Sequence, residues 1–386
     1  MPQNLMDASH QWATRPNDER FETLQDLWMA TRLAANRASA SDLLMKRLTV
    51  EAVDGDLRLK TPQESLSFNN WSFGQFARRL GAPSDYIQSL PADLAAENLN
   101  YSITRNADVD AQVYFDNQSK TVRAITSTSY GRVLNHDVVK ALIELPGHWV
   151  TPPARPARAD APGTRPATAE DIAKYGAQGH PTMSVKVGDP IDPRSGIYGN
   201  DRDMFVFLID PTANIDDGSE GGLGRGFFAR NSEVGNAQFE LCTFLYRYVC
   251  GNHIVWDASD VKILKVKHLG RGTRARAFDK IEVELKNYAQ KSTDDDRQRI
   301  TRAKNLELGS NIDDVIELVY EKRHLLPKKK VEEAYNTAEQ YAGTDGSPRT
   351  AWGFANGVTR LSQKALHIDE RNELDFAAGR ILALAD

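Results

Sequence analysis

The chain has 386 residues, of which 40% are hydrophobic and 26% charged, the composition of an ordinary soluble globular protein with one large or two ordinary domains. Its net charge of −5 excludes a uniformly basic protein, and no apolar run approaches the roughly 18 residues of a membrane helix. The first residues lack the basic and apolar regions of a secretory signal, and two cysteines fit a reducing compartment, so we expect a cytoplasmic protein.

The N-terminal part predicts mixed helices and strands. Residues 18–37 carry apolar side chains at helical spacing after Asn17, which predicts a helix capped by Asn17. Leu48 to Leu59 alternates loosely around Asp54-Gly55-Asp56, which predicts a short strand pair. Further along, we predict helices around 73–80 and, after an Asn135 cap, around 138–143, with strands at 111–116 and 121–126.

Residues 152–163 are rich in proline and alanine with scattered arginine, which is typical of an exposed loop or linker. Two interpretations stay open for it. It is either an insertion without regular structure, or an arm whose Arg155, Arg158 and Arg165 contact phosphate.

From residue 182 the pattern favours strands, at 183–187, 204–209 and 224–230. The near-continuous apolar run 204–209 predicts a strand buried on both faces. After about residue 280 the chain is charged and helical, with helices predicted at 279–304, 311–324, 331–342, 349–365 and 370–385.

This order favours an α+β fold with a central antiparallel or mixed sheet and a helical C-terminal third. We expect three parts. They are an N-terminal helical and hairpin extension (1–60), an α+β core (61–280) with an exposed loop at 152–168, and a helical part packed on that core (281–386).

Three groups of residues resemble enzyme motifs without their spacing. The glycines at 221–226 do not open a helix, so we interpret them as a hairpin connection rather than a nucleotide loop. The cysteines and histidines from Cys242 to His268 match no standard zinc or thiol pattern, and Cys242 is predicted to be a core residue. The carboxylates of Asp210, Asp216, Asp217 and Glu220 lack calcium-loop spacing, which favours a solvated turn. We therefore expect no cofactor, no metal and no catalytic residue.

The segment 261–278 is cationic and contains no carboxylate, although the whole chain is acidic. Its lysines and arginines are Lys262, Lys265, Lys267, Arg271, Arg274 and Arg276. Such residues supply the phosphate contacts that dominate nucleic-acid affinity. Upstream, arginines interleave with aromatic residues, as on a surface where unpaired bases stack. These residues are Arg225, Phe227, Phe228, Arg230, Tyr246, Arg247 and Tyr248. The alternative is that the aromatics fill the core and the lysines form a solvated strand edge.

Four stretches resemble a family of phage- and plasmid-borne proteins described as domain of unknown function 932. They are FGQFARRLGAPSDYIQSLP, VRAITSTSYGRVLNHDVVKAL, RNSEVGNAQFELCTFLYRYVCGN and TAWGFANGVTRL. The resemblance spans roughly residues 65–365, and Asn231-Ser232, Gly235 and the segment 247–252 are its most specific parts. It departs at the 152–168 insertion and after His268. The resemblance implies a setting among replication and recombination functions and, by analogy, a likeness to single-strand annealing recombinases.

We therefore predict a single-stranded DNA-binding protein of phage or plasmid recombination or replication, with strand annealing as one form of that activity and RNA left open. The binding residues would be Lys262, Lys265, Lys267, Arg271, Arg274, Arg276, Arg225, Arg230, Arg247, Phe227 and Tyr248. A homo-oligomer larger than a dimer is expected because annealing requires a long bound strand. Its contact surfaces would be the strand edges at 182–188 and 261–267 and the charged helices after residue 280. Two alternatives remain. One is a metal-dependent nuclease or nucleotide-processing enzyme using Asp210, Asp216 and Glu220, and the other is a mobile-element interaction protein that counters host defence.

Overall fold

A computed structural model of the chain describes residues 16–151, 155–174, 185–194, 196–218, 222–247, 253–254, 264–266, 283–284, 286–288, 290, 293–362, 364–365 and 368–386. The fold is α+β, as predicted, with two six-stranded sheets, a small three-stranded sheet and helices in the C-terminal part. Among the helices in these ranges, none has the length and apolar composition needed to cross a membrane.

The described helices begin with α1 (Leu24–Arg37), which packs on the second sheet, and end with a C-terminal group. The others in the N-terminal half are α2 (Asn70–Arg79), α3 (Ser84–Gln88), α4 (Ala92–Arg105), α5 (Asn135–Ile143) and α6 (Ala169–Ala173). The C-terminal group is α7 (Thr293–Asn305), α8 (Ile312–Ile316), α9 (Lys328–Gln340), α10 (Ala342–Asp345), α11 (Ala351–Ser362) and α12 (Ile368–Leu382), with a π-helical turn at Glu317–Lys322.

Two predicted helix starts need correction. The helix predicted from residue 18 begins at Leu24, because the Thr23 hydroxyl accepts the Asp26 amide at 3.1 Å and supplies the cap that was assigned to Asn17. Asn135 lies inside the first turn of α5 instead of capping it, because its side chain is bonded elsewhere.

The first sheet contains the strands β1 (Ala38–Leu44), β2 (Thr49–Val53), β3 (Asp56–Lys60), β4 (Ser65–Phe68), β5 (Asp110–Asp116) and β6 (Thr121–Thr126). Their spatial order is β1-β5-β6-β4-β3-β2, and only the β4–β6 pair is parallel. The predicted β2–β3 hairpin is confirmed: Asp54 and Gly55 have φ of 52° and 84°, the left-handed values that a two-residue turn requires. One face of the sheet packs on α2, α3 and α4 through buried residues such as Leu59, Phe76 and Leu99.

A small sheet follows, with order β7-β9-β8 for β7 (Arg155–Pro156), β8 (Arg165–Pro166) and β9 (Pro190–Asp192). The described part of the predicted loop 152–168 therefore contributes two short strands. Residues 185–187, predicted to belong to a strand, lie instead in a turn region, which Lys186 closes by donating its N–H to the Asp189 carboxylate at 2.7 Å.

The second sheet contains β10 (Ile197–Gly199), β11 (Met204–Ile215), β12 (Leu223–Asn231), β13 (Phe239–Arg247), β14 (His253–Ile254) and β15 (Leu264–Val266). The strands β10 to β14 follow one another as antiparallel neighbours, and β15 also pairs with β13. The run 204–209 is buried throughout, as predicted, because both faces of β11 are covered. Cys242 is a fully buried core residue, as predicted.

The C-terminal helices share one apolar cluster with the end of the second sheet. Ile215, Leu223 and Leu245 from the strands meet Trp352 and Phe354 of α11 in that cluster. The helical part therefore packs directly on the sheet that leads to the cationic segment.

Candidate nucleic-acid interface

The cationic segment enters the described structure only at β15, where it pairs with β13. The antiparallel register places Leu264 opposite Leu241 and Val266 opposite Phe239. Leu241 and Phe239, the two residues of β13, are buried. Lys265 stands in register with Glu240 between them. The described part of the segment is thus a strand held on the second sheet.

Most of the other predicted contacts cannot be placed. Lys262, Lys267, Arg271, Arg274, Arg276 and Tyr248 lie outside the described residues. Arg247 ends β13 in register with Leu223, and Arg230 is half-buried in β12 in register with Glu240.

Arg225 is a buried anchor rather than a phosphate contact, which corrects its interpretation from sequence. It is 3% exposed, and its Nη2 lies 2.8 Å from Oδ2 of Asp296 in α7. Its Nη1 donates to the carbonyl oxygen of Tyr288 at 3.2 Å. The positive charge is therefore neutralised inside the protein and joins the second sheet to the C-terminal helices.

Phe227 is a core residue rather than a stacking surface, which corrects the second interpretation. It is fully buried, and its ring meets Trp149 edge-on with the centroids 4.9 Å apart. Phe228 is also buried and stacks on Phe205 at 5.5 Å. In this fold neither ring has a face on which a base could stack.

Of the described glycines in the Gly-rich stretch, Gly224 and Gly226 lie in β12, whereas Gly222 precedes the strand with a φ of 67°, in the predicted connection from β11. A Cβ atom at Gly226 would overlap the Phe244 ring and lie 2.9 Å from the carbonyl oxygen of Leu208. That ring stacks on Phe207 with the centroids 4.6 Å apart. Gly226 is therefore required by close packing within the sheet, not by a bound phosphate.

The predicted acidic cluster forms turns in its described part. Asp210 accepts the Thr212 amide at 2.9 Å, and Asp216 accepts the Gly218 amide at 2.8 Å. These are the local bonds typical of Asx turns. Within the described ranges, no group of three or more His, Cys, Asp or Glu residues could hold a metal ion. Glu220 and Cys250 lie outside those ranges.

The segment 231–235, one of the most specific parts of the resemblance, forms a buried junction between the two sheets. Asn231 is fully buried and donates to the Val133 carbonyl at 2.9 Å and to Oδ1 of Asn135 at 2.7 Å. Glu233 is 2% exposed and accepts the Asn135 amide at 2.7 Å. Its other oxygen lies 3.3 Å from the guanidinium of Arg123 in β6.

The backbone of this junction is also held by the first sheet and its helix. Trp71 and Gln75 of α2 both donate to the Val234 carbonyl, at 3.0 and 2.7 Å. Tyr114 of β5 donates to Glu233 at 3.4 Å, and burial, followed by the charge of Glu233, raises the pKa of Tyr114 to about 12. This arrangement connects the two sheets through polar groups bonded inside the protein, and the buried Oδ1 atom of Asn231 is the exception, without a hydrogen-bond partner among the described residues.

A cleft of about 380 Å³ lies beside the junction, between α1 and the first sheet. Its charged walls include Arg37, Asp116, Arg123 and Glu233. Arg37 pairs with Asp116 at 3.3 Å, and Arg123 pairs with Glu233. The walls also include Asp18 and Asp201, so the carboxylates outnumber the guanidinium groups and the cleft does not favour a phosphate.

The C-terminal stretch TAWGFANGVTRL is also explained by packing. A Cβ atom at Gly357 of α11 would overlap the Ala334 carbonyl and approach the Ala338 Cβ to 2.7 Å, so the glycine allows α9 and α11 to touch. Arg360 pairs with the buried Asp345, and its guanidinium lies 3.8 Å from the centroid of the Tyr341 ring.

One cationic surface was missed from the sequence. The segment 322–330 reads KRHLLPKKK and contains no carboxylate, a signal as visible as that of 261–278 but shorter. It connects the π-helical turn to α9, and all its residues are described.

Comparison with known families supports the resemblance over part of the chain. The model of the family described as domain of unknown function (DUF932) matches residues 213–373, from the end of β11 into α12. The match supports the family resemblance for this segment of the chain. It contains the junction at 231–235 and the stretch 350–361, whereas the two N-terminal stretches lie outside the match. Searches of the curated proteins and of the solved structures find no match to the chain.

Proposed function

We propose that the protein binds single-stranded DNA through the cationic segment 261–278 and catalyses no chemical step. The observation that carries this proposal is the charge of the segment, six lysines and arginines without a carboxylate in a chain of net charge −5. A local positive field on an acidic protein favours a polyanion at one place and repels it elsewhere.

The strand β15 supports this proposal. A segment that starts as a strand on a packed sheet has part of its backbone already ordered, so less conformational entropy is lost when it binds. Lysine and arginine side chains contact phosphates without reading bases, which suits binding of many sequences.

The biological setting that we propose is recombination or replication of phages or plasmids in the cytoplasm, with strand annealing as the activity. One cationic segment can hold only a few nucleotides, whereas annealing requires a long strand. We therefore propose a homo-oligomer larger than a dimer, in which the segment is repeated.

The proposed binding is tested with a labelled oligothymidylate of 40 nucleotides across a salt series. The logarithm of affinity should fall by about 0.7 for each neutralised phosphate per unit of log salt. Changing Lys265, Lys267, Arg271 and Arg274 together to Ala should flatten this slope by up to about 3. A matched control removes the same charge at Lys46, Lys60, Lys120 and Lys140, which pair with surface carboxylates.

Equal affinity and slope in the segment variant and the matched control would refute binding through this segment. Absence of binding by the wild-type protein at low salt would refute the function itself. Mass photometry with and without the oligonucleotide tests the assembly, and a monomer in both conditions would refute annealing while leaving simple binding in place.

A further inference from the structure

The corner between the π-helical turn and α9 gathers cations that are not neutralised within the described structure. Arg323, Lys328 and Lys329 are all exposed. Arg380 of α12, also exposed, joins them because its Nη2 lies 3.5 Å from the Leu325 carbonyl. We call these four residues the cationic corner.

Lys322 and Lys330, which neighbour the corner in sequence, differ from it because each forms an ion pair with a carboxylate. Lys322 contacts Glu317 at 2.8 Å, and Lys330 contacts Glu370 at 3.1 Å. Among the described residues, no carboxylate lies within ion-pair distance of Arg323, Lys328, Lys329 or Arg380, in contrast to these two neighbours.

Helix stability does not explain the position of these lysines. The first turn of α9 contains Lys328, Lys329 and Lys330 and no acidic residue. The N-terminus of a helix carries partial positive charge, so acidic residues are stabilising there and lysines are not. The first two lysines therefore add repulsion at the positive end of the helix, and an external anion would relieve it.

An exposed aromatic side chain lies next to the corner. Tyr320 is 40% exposed, and its carbonyl accepts the His324 amide at 3.2 Å, which places it one turn before the cations. The apolar residues of the connection face inward, since Leu326 is 7% exposed and Leu325 is half-buried. Cations beside an exposed ring suit unpaired bases and phosphates, whereas the amphipathic type of membrane surface site also has exposed apolar side chains.

From these observations we propose that the cationic corner and Tyr320 form a second binding surface for single-stranded nucleic acid. The cations contact phosphates, and a base stacks on the tyrosine ring. This inference shares its ligand class with the proposed function but concerns a different surface, on the C-terminal helices instead of the sheet.

The test compares the triple variant Lys328→Gln, Lys329→Gln, Arg380→Gln with a charge-matched control, Lys46→Gln, Lys60→Gln, Lys140→Gln. Binding to the 40-nucleotide oligothymidylate is measured across a salt series. We expect the corner variant to flatten the salt slope by about 2, with the control unchanged. Tyr320→Leu should weaken binding about tenfold, whereas Tyr101→Leu, a change of another exposed tyrosine, should not.

The outcomes separate the two proposals. If the corner variant binds like its control while the variant in 261–278 does not, the corner proposal is overturned and the proposed function stands. If only the corner variant loses affinity, the corner is supported and the assignment to 261–278 fails. If the wild-type protein binds no oligonucleotide, both are overturned. Loss of binding to phosphatidylserine vesicles with unchanged oligonucleotide binding would also overturn the corner proposal, in favour of a membrane partner.

Discussion

Glu233→Gln should destabilise the protein by about 3 kcal/mol, because it leaves the Arg123 guanidinium buried without a counter-charge. The side chains of the two residues are only 3% and 8% exposed, and their charged atoms are 3.3 Å apart. Breaking a buried pair by removing one partner costs about 3 to 5 kcal/mol. The lower end applies here, since Arg123 keeps hydrogen bonds to the Tyr114 hydroxyl at 3.2 Å and the Asp201 carbonyl at 3.4 Å.

The assay is urea unfolding followed by circular dichroism and by tryptophan fluorescence, to which Trp71 contributes from the junction itself. A pair nearer the surface provides the control: Glu64→Gln, whose side chain is 30% exposed and which loses its contact with Lys120, should cost less than about 1 kcal/mol. Adding Arg123→Met to Glu233→Gln should cost at least about 1 kcal/mol less than the sum of the single changes. Additive costs, or a loss below about 1 kcal/mol for Glu233→Gln, would refute a coupled buried pair.

Three further predictions concern other parts of the fold. Lys328→Gln should raise the free energy of unfolding by about 0.3 to 1 kcal/mol at low salt and by less at high salt, because it removes a cation from the positive end of α9; a loss of stability in chemical denaturation would contradict this. Gly226→Ala should cost more than about 1 kcal/mol, because the new methyl group overlaps the Phe244 ring; a wild-type melting temperature would show that the sheet adapts. Hydrogen bonds from Arg165 hold the pKa of Asp171 well below the usual 3.8 despite burial, so the carboxylate stabilises the fold above that pH and the stabilisation is lost as the pH falls. The melting-temperature difference between wild type and Asp171→Asn should therefore be full at pH 6 and shrink below about pH 4, and a constant difference would contradict it.

The parts of the fold predicted from sequence are those specified by neighbouring residues. The β2–β3 hairpin follows from a turn that tolerates left-handed backbone and from alternation on both sides. The strand at 204–209 follows from an apolar run that only a buried position accommodates. By contrast β1, with the sequence ASASDLL, has no alternation and exists because it pairs with β5 far along the chain.

The candidate site was harder to predict because charge alone does not reveal a partner. Arg225 and Asp296 are 71 residues apart, and no local pattern indicates that their side chains meet. An arginine among aromatic residues therefore predicts a phosphate contact and a buried anchor equally well. The sequence identified 231–235 as a specific part of the family resemblance but did not indicate its role. That role, joining the two sheets, depends on bonds to Arg123 and Trp71 that form only in the tertiary structure.

The junction between the sheets also sets an order of events during synthesis. The first sheet lies entirely within residues 38–126, so its strands can pair before the second sheet leaves the ribosome. Tyr114 and its partner Glu233 are 119 residues apart. At roughly 5 to 20 residues per second, the nascent sheet waits about 6 to 24 s for that carboxylate. During this interval Arg123 has its hydrogen bond to Tyr114 but lacks its counter-charge, and the surface that later binds the second sheet is open to chaperones.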